Sequence, residues 1–112
     1  MKSLRIVPSD EFCRQAKRLA KKYKSLASDL TALQSALREN PYLGKNLGNG
    51  KYKIRLSTSS KGKGKRGGFR VITFHVVEVE DSLVIYLVTI YDKSEYESVS
   101  DKYVNQIIKG LK

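Results

Sequence analysis

Three cations carry the chemistry this chain could perform. Lys53 and Arg55 stand two apart in the run Tyr-Lys-Ile-Arg-Leu (52–56), and Arg70 opens the next β-prone run. Side chains alternate faces along a strand, so Lys51, Lys53 and Arg55 fall on one side of residues 51–57, with Tyr52, Ile54 and Leu56 on the other. The stretch 51–70 holds eight basic residues and no acid. Such a surface suits phosphate. Attack of a ribose 2′-OH on its neighbouring phosphate needs a group to take the 2′ proton and a cation to stabilise the charge growing on phosphorus. It also needs an acid for the leaving 5′ oxygen. Arginine fits the second role, because it stays charged and grips phosphate in a forked geometry. A lysine serves the first or third once nearby cations disfavour its own charge. One cation at about 6 Å, at an effective dielectric of about 20, does so by roughly 2.8 kcal/mol. One neighbour makes a slow base, and two or three a usable one.

Between the two strands lies Ser-Lys-Gly-Lys-Gly-Lys-Arg-Gly-Gly (60–68). Its glycines allow close backbone approach, successive amides can form an anion nest, and Lys61, Lys63, Lys65 and Arg66 add charge. With Lys51, these four cations are the expected RNA-binding residues. The loop is not a Walker A motif, since no Gly-Lys is followed by Ser or Thr at the required spacing. Tyr91 ends the fourth expected strand and Lys93 follows it, so both could reach a substrate lying across the hairpin. Tyr96 is similar but sits in an irregular segment. The lone histidine, His75, falls mid-strand and reads as a hydrogen-bonded core residue. One histidine and one cysteine make no metal site, and no cofactor is expected.

The elements that would position these groups follow from periodicity. Residues 3–7 predict a short strand stopped by Pro8. Ser9 caps a first helix, with Asp10 and Glu11 in its first turn and Phe12, Ala16, Leu19 and Tyr23 on its apolar face; Cys13 lies beside them as a small core residue. Ser25 caps a second helix, with Leu26, Leu30, Leu33 and Leu37 as its stripe, ended by Asn40-Pro41. Residues 42–50 read as a loop. Strands follow at 51–57, about 69–80 and 83–91. The middle one is apolar on both faces and therefore central. Glu80-Asp81-Ser82 is a tight turn. Ser100 caps a last helix, 101–111. The order β-αα-βββ-α predicts an α+β fold, in which an N-terminal strand, a helical hairpin and a C-terminal helix pack on a small antiparallel sheet.

At 112 residues the chain makes a single domain, 1–112, large enough for a modest core. Its formal net charge of +11 implies a polyanionic partner, nucleic acid before an anionic membrane. The acids cluster late, and the cations dominate the first helix and the hairpin, which would turn a polyanion toward the hairpin. Nothing approaches the ~20 apolar residues that span a bilayer. A single cysteine forms no internal disulfide, so a reducing, cytoplasmic setting is expected.

The helical hairpin, Asn-Pro-Tyr-Leu-Gly (40–44), Tyr-Lys-Ile-Arg-Leu (52–56), Phe-Arg-Val-Ile (69–72) and Ile-Tyr-Asp-Lys-Ser-Glu (90–95) together resemble the RelE/ParE toxin superfamily. The 60–68 loop is similar to the HigB-like RelE branch. The resemblance implies the toxin of a type II toxin–antitoxin pair, a metal-independent endoribonuclease that cuts mRNA in the ribosomal A site and is silenced by a cognate antitoxin. Its strand cations fall on Lys53 and Arg55, and its next-strand arginine on Arg70. Where RelE itself has Gly-Lys-Arg, this chain has Asp92-Lys93-Ser94, and the downstream RelE tyrosine position holds Ser100. Tyr91, Lys93, Tyr96 or the loop lysines are left to replace them. A ParE-like inhibitor of DNA gyrase and a non-catalytic RNA-binding module are the alternatives.

Overall fold

A computed structural model describes residues 3–58, 68–78 and 81–111. The chain runs β1 (Ser3–Pro8), α1 (Asp10–Lys22), α2 (Leu26–Glu39), β2 (Lys45–Gly48), β3 (Lys51–Leu56), β4 (Phe69–Val77), β5 (Ser82–Asp92) and α3 (Asp101–Lys109). The strands form one sheet in the order β1-β5-β4-β3-β2. The α+β class stands, but the sheet is mixed. β1 pairs parallel to β5, from Ser3 opposite Ser82 to Pro8 opposite Leu87. The chain reaches β5 only after two helices and three strands, so it need not return antiparallel to β1. Pro8 closes β1 at the sheet's edge, where a missing N–H does no harm.

The expected loop 42–50 contains β2, a short edge strand. Its Lys45 and Asn46 pair with Lys53 and Tyr52. Gly44, just before it, has φ +97°, and a Cβ there would stand 2.5 Å from the Lys53 carbonyl oxygen. Only glycine lets the chain fold back this closely. β4 is central, as its two apolar faces predicted, although it ends at Val77. Glu80 of the expected turn lies outside the described residues; Asp81 beside it has φ +64°.

Caps set the helix ends. Ser9 Oγ accepts from the Phe12 amide at 2.9 Å and also donates to the Val88 carbonyl at 2.7 Å, so one hydroxyl starts α1 and fastens it to β5. Ser100 Oγ accepts from the Tyr103 amide at 3.1 Å and starts α3. Ser25 sits at the expected cap of α2 but makes no capping bond. Its backbone is already helical, and its hydroxyl turns to Asp29 at 2.9 Å and Thr58 at 2.6 Å. Cys13 is exposed rather than part of the core.

The sheet has a core on each side. Beneath α1 and α2, residues such as Leu19, Leu26, Leu37, Phe69, Val71 and Ile85 are buried to 1% exposure or less. Each such side chain contributes about 1.5–3 kcal/mol by leaving water. Beneath α3 a smaller cluster of Ile72, Val88, Tyr91 and Val104 forms, with Phe74, Tyr86 and Tyr103 at its margin. The β4–β5 register slips between Ile72/Thr89 and Thr73/Leu87, leaving Val88 as the extra residue of a bulge. Leu83, Ile85 and Leu87 point to the hairpin core, whereas past the bulge Ile90 does so and Tyr91 faces α3.

Candidate phosphate-binding site

Cross-strand pairing brings the expected chemical residues into rows on the α3 face of the sheet. Arg55 stands opposite Arg70, and Arg70 opposite Tyr91. The next row is Lys53, Ile72 and Thr89. Lys53, Arg55, Arg70 and Tyr91 therefore share one surface on three adjacent strands. Neighbouring strands lie about 4.8 Å apart, which is within the reach of one phosphodiester group. Two arginines directly opposed on an antiparallel pair repel one another, and an anion between them relieves that repulsion.

The members of the row differ in exposure. Arg55 is exposed and Lys53 half-buried, whereas Arg70 is only 8% exposed. The Arg70 guanidinium donates to the Phe69 carbonyl at 3.3 Å, among other interactions. Its planar group is therefore held in place from behind. Tyr91 is 3% exposed, and its hydroxyl has no hydrogen-bond partner among the described residues. Burial pushes this phenol above its ordinary pKa, aided by Glu97 and opposed by Arg70 and Lys93. It keeps its proton at neutral pH, as a proton donor to a leaving oxygen must.

Lys93 follows the row at the exit of β5. Its ammonium pairs with Glu97 at 3.2 Å, and its amide donates to the Gly68 carbonyl at 3.1 Å. That second bond ties the end of β5 to the start of β4. Gly68 has φ +68°, and a Cβ there would meet the Leu56 carbonyl oxygen at 2.8 Å, so the close approach of the two strands requires glycine. Lys61, Lys63, Lys65 and Arg66 lie outside the described residues.

Lys51 departs from expectation. It shares the cationic face but is not held out to solvent. Its residue is 9% exposed, and its ammonium donates to Asn105 of α3 at 3.0 Å. Alternation gave its face correctly, but α3 covers that end of the row. In compensation Lys45, in the segment expected to be a loop, pairs opposite Lys53 and is exposed. Directly opposed residues share a face, so Lys45 extends the cationic surface by one strand. The sequence signal was present, since Lys45 precedes Asn46 and a glycine turn, but a four-residue strand is too short to show periodicity.

The two serines at positions of departure from the resemblance are structural. Ser94 donates through both its amide, at 2.9 Å, and its hydroxyl, at 2.8 Å, to the Asp92 carboxylate. Asp92 is fully buried and also accepts from Tyr23 Oη at 2.9 Å, which joins the end of α1 to the end of β5. Ser100 is the α3 cap already described. Among described residues no group of three or more His, Cys, Asp or Glu is placed to hold a metal ion.

His75 faces the other side of the sheet and is not the hydrogen-bonded residue expected. Its ring stacks on Tyr52, with centroids 4.6 Å apart, and contacts Tyr42 at 5.2 Å. Neither ring nitrogen has a hydrogen-bond partner among the described residues. Burial lowers its pKa, because a charged imidazolium would be poorly solvated there.

A second polar group was not foreseen. Glu11, by sequence a first-turn acid of α1, accepts through its carboxylate from Tyr103 Oη of α3 at 2.7 Å. Gln15 at 3.1 Å and Arg14 also donate to it. Burial alone would raise this carboxyl's pKa, but the bonds from Tyr103, Gln15 and Arg14 outweigh burial and lower it. Tyr103 Oη also lies 3.0 Å from Thr89 Oγ1. Burial first, and then the bond to Glu11, raise the Tyr103 pKa, whereas Thr89 and Arg14 lower it. A first-turn glutamate is common, so composition and spacing carry no sign of this link.

No family model matches the chain. Among the described residues no helix is long and apolar enough to cross a membrane.

Proposed function

We propose that this protein is a RelE-like toxin of a type II toxin–antitoxin system, of the HigB-like branch, acting as a ribosome-dependent mRNA endoribonuclease. The observation that supports the reading best is the row Arg55–Arg70–Tyr91 with Lys53 beside it, on one face of three paired strands. In this reading Arg55 and Arg70 clamp the scissile phosphate and stabilise its developing charge. Lys53, as its neutral amine, takes the ribose 2′ proton and becomes an ammonium, the 2′ oxygen attacks phosphorus, and Tyr91 protonates the departing 5′ oxygen. The products are a 2′,3′-cyclic phosphate and a 5′-hydroxyl. Lys93, on the same edge, and the loop cations Lys61, Lys63, Lys65 and Arg66 hold flanking phosphates. No metal or cofactor enters the scheme. The protein would work in the cytoplasm, where ribosomes and mRNA are, and a cognate antitoxin would silence it.

Expression in bacteria tests the reading. Growth arrest with truncation of translated mRNAs is the expected result; arrest with intact transcripts would remove the nuclease. DNA breaks with normal mRNA would point instead to gyrase inhibition, as in ParE-like proteins. RNA binding without cleavage has one specific observation in its favour: the Tyr91 hydroxyl is buried and must be uncovered to meet a substrate. Binding that survives while cleavage is undetectable on programmed ribosomes would select that second reading.

A further inference from the structure

A cavity of about 350 Å³ opens beside the cationic row, where the first turn of α1 crosses β5 and meets the approach to α3. Tyr91, Tyr96, Tyr103 and Val99 line it, together with Glu11 and Gln15. Its size lies near the lower end of the ~300–1,000 Å³ usual for small-ligand pockets. Tyr91 belongs to both features: it stands opposite Arg70 in the sheet and forms a wall of the cavity. A group held at Arg70 is therefore about one strand spacing, roughly 4.8 Å, from the cavity wall.

The lining specifies what enters. Three tyrosines offer ring faces and edges to a flat partner; Tyr96 is 54% exposed, free to lie over it. An ionised carboxylate has about four acceptor positions. Among the described residues Glu11 Oε2 accepts from Gln15 and Tyr103 and Oε1 accepts only from Arg14, which leaves one acceptor position on Oε1. The cavity thus asks for a planar ring that donates a hydrogen bond. A cationic amine would satisfy Glu11 as well, but Arg14 already pairs with that carboxylate, the charges of Arg70 and Lys93 act on the Tyr91 wall, and the whole chain carries a formal charge of +11. A neutral ring attached to an anion satisfies the carboxylate, the tyrosines and the neighbouring cations together.

We propose that this cavity holds an amino-bearing nucleobase (adenine, cytosine or guanine) of an RNA whose adjoining phosphate lies over Arg55 and Arg70. The exocyclic amine donates to Glu11 Oε1, and the ring stacks on Tyr96. Uracil is disfavoured, because its N3–H donor is flanked on both sides by carbonyl oxygens, which a carboxylate repels. The inference rests on the phosphate-binding reading of the arginine row and adds base selectivity to it.

Nucleoside monophosphates test it without any cleavage. In an NMR titration of the full chain, AMP, CMP or GMP should shift the amide signals of Tyr96 and Val99, and UMP at the same concentration should not. Inorganic phosphate should shift signals near Arg55 and Arg70 and leave the cavity unchanged. Tyr96→Ala should weaken the responding nucleotide about tenfold, since loss of one base–aromatic stack has effects of that order. Tyr96 is exposed, so the variant should stay folded, and an unchanged dispersed spectrum verifies it. Equal shifts from UMP, no cavity shift from any nucleotide, or binding of arginine amide in their place would overturn the proposal. The two readings separate cleanly. Phosphate shifts with a silent cavity remove the base pocket and leave the nuclease; nucleotide shifts at the cavity without RNA cleavage on ribosomes keep the pocket and remove the nuclease.

Discussion

Beneath the helical hairpin, the three central strands present Ile54, Leu56, Phe69, Val71, Ile85 and Ile90, each 8% exposed or less. On the α3 face the same strands present Lys53, Arg55, Arg70, Thr89 and Tyr91. One sheet therefore carries two surfaces built from alternate residues of the same segments. The hairpin side follows the ordinary logic of a core, in which apolar area leaves water and shape decides the rest. The α3 side follows it at Ile72, Val88 and Val104 but departs from it at the cationic row. There it opposes two arginines, buries one of them and buries a tyrosine hydroxyl with no hydrogen-bond partner among the described residues. Local departures of this kind concentrate where a protein meets a ligand, because stability is given up there for chemistry. Asp92 marks the boundary between the two regimes. It is as buried as any core residue, yet its carboxylate is held by Tyr23 and Ser94.

If the two faces are as different as this, substitutions should separate them. The largest effect is expected on the hairpin side. Ile85→Ala should cost about 2–5 kcal/mol of stability, by lost transfer energy and a cavity. Denaturant unfolding would measure it, and activity per folded molecule should be unchanged; a smaller loss coupled to a specific defect in activity would blur the distinction. Next, Arg70→Ala should lower RNA cleavage about a hundredfold or more, equivalent to about 2.7 kcal/mol, and relieve growth arrest. Its circular dichroism should remain native. An unfolded variant would show that Arg70 serves the core, and Arg70→Lys would then isolate the loss of forked geometry from the loss of charge.

Smaller effects probe the seams. Gly68→Ala forces a side chain into a positive-φ position against the Leu56 carbonyl oxygen. About 1–3 kcal/mol of destabilisation is expected, with the sheet near Arg70 disturbed first. Hydrogen exchange of the β4 amides would report it; protection equal to the parent would show that the strand junction tolerates the change. The smallest effect concerns pH. His75 has a lowered pKa in the folded chain, so below about 6.5 the unfolded state binds more protons than the folded one. Stability should therefore fall as pH drops from about 7 toward 5. His75→Phe, which preserves the stack on Tyr52, should flatten that part of the profile. Glu11 contributes in the same direction at lower pH, because its lowered folded-state pKa stabilises the chain above its ordinary carboxyl range and that gain is lost on protonation. A slope unaffected by His75→Phe would assign the acid sensitivity to the carboxylates alone.

Much of this arrangement was legible in the chain itself. Alternation in 51–56 placed Lys53 and Arg55 on a common face. The helical stripes of α1 and α2, the caps at Ser9 and Ser100, and the doubly apolar β4 each rest on neighbours within a few residues. Local sequence sets such features because the repeat of a helix or strand is itself local. The rest depends on partners far along the chain. Parallel pairing of β1 with β5, the capture of Lys51 by Asn105 and the reach of Glu11 to Tyr103 all join residues more than fifty positions apart. Above all, the bulge at Val88 changes the phase of β5 by one residue. Strict alternation from Leu83, Ile85 and Leu87 would have turned Tyr91 into the hairpin core; the extra residue turns it beside Arg70. Residue types and periods determined which groups were on hand, whereas the register between strands, which no single strand encodes, decided which of them meet.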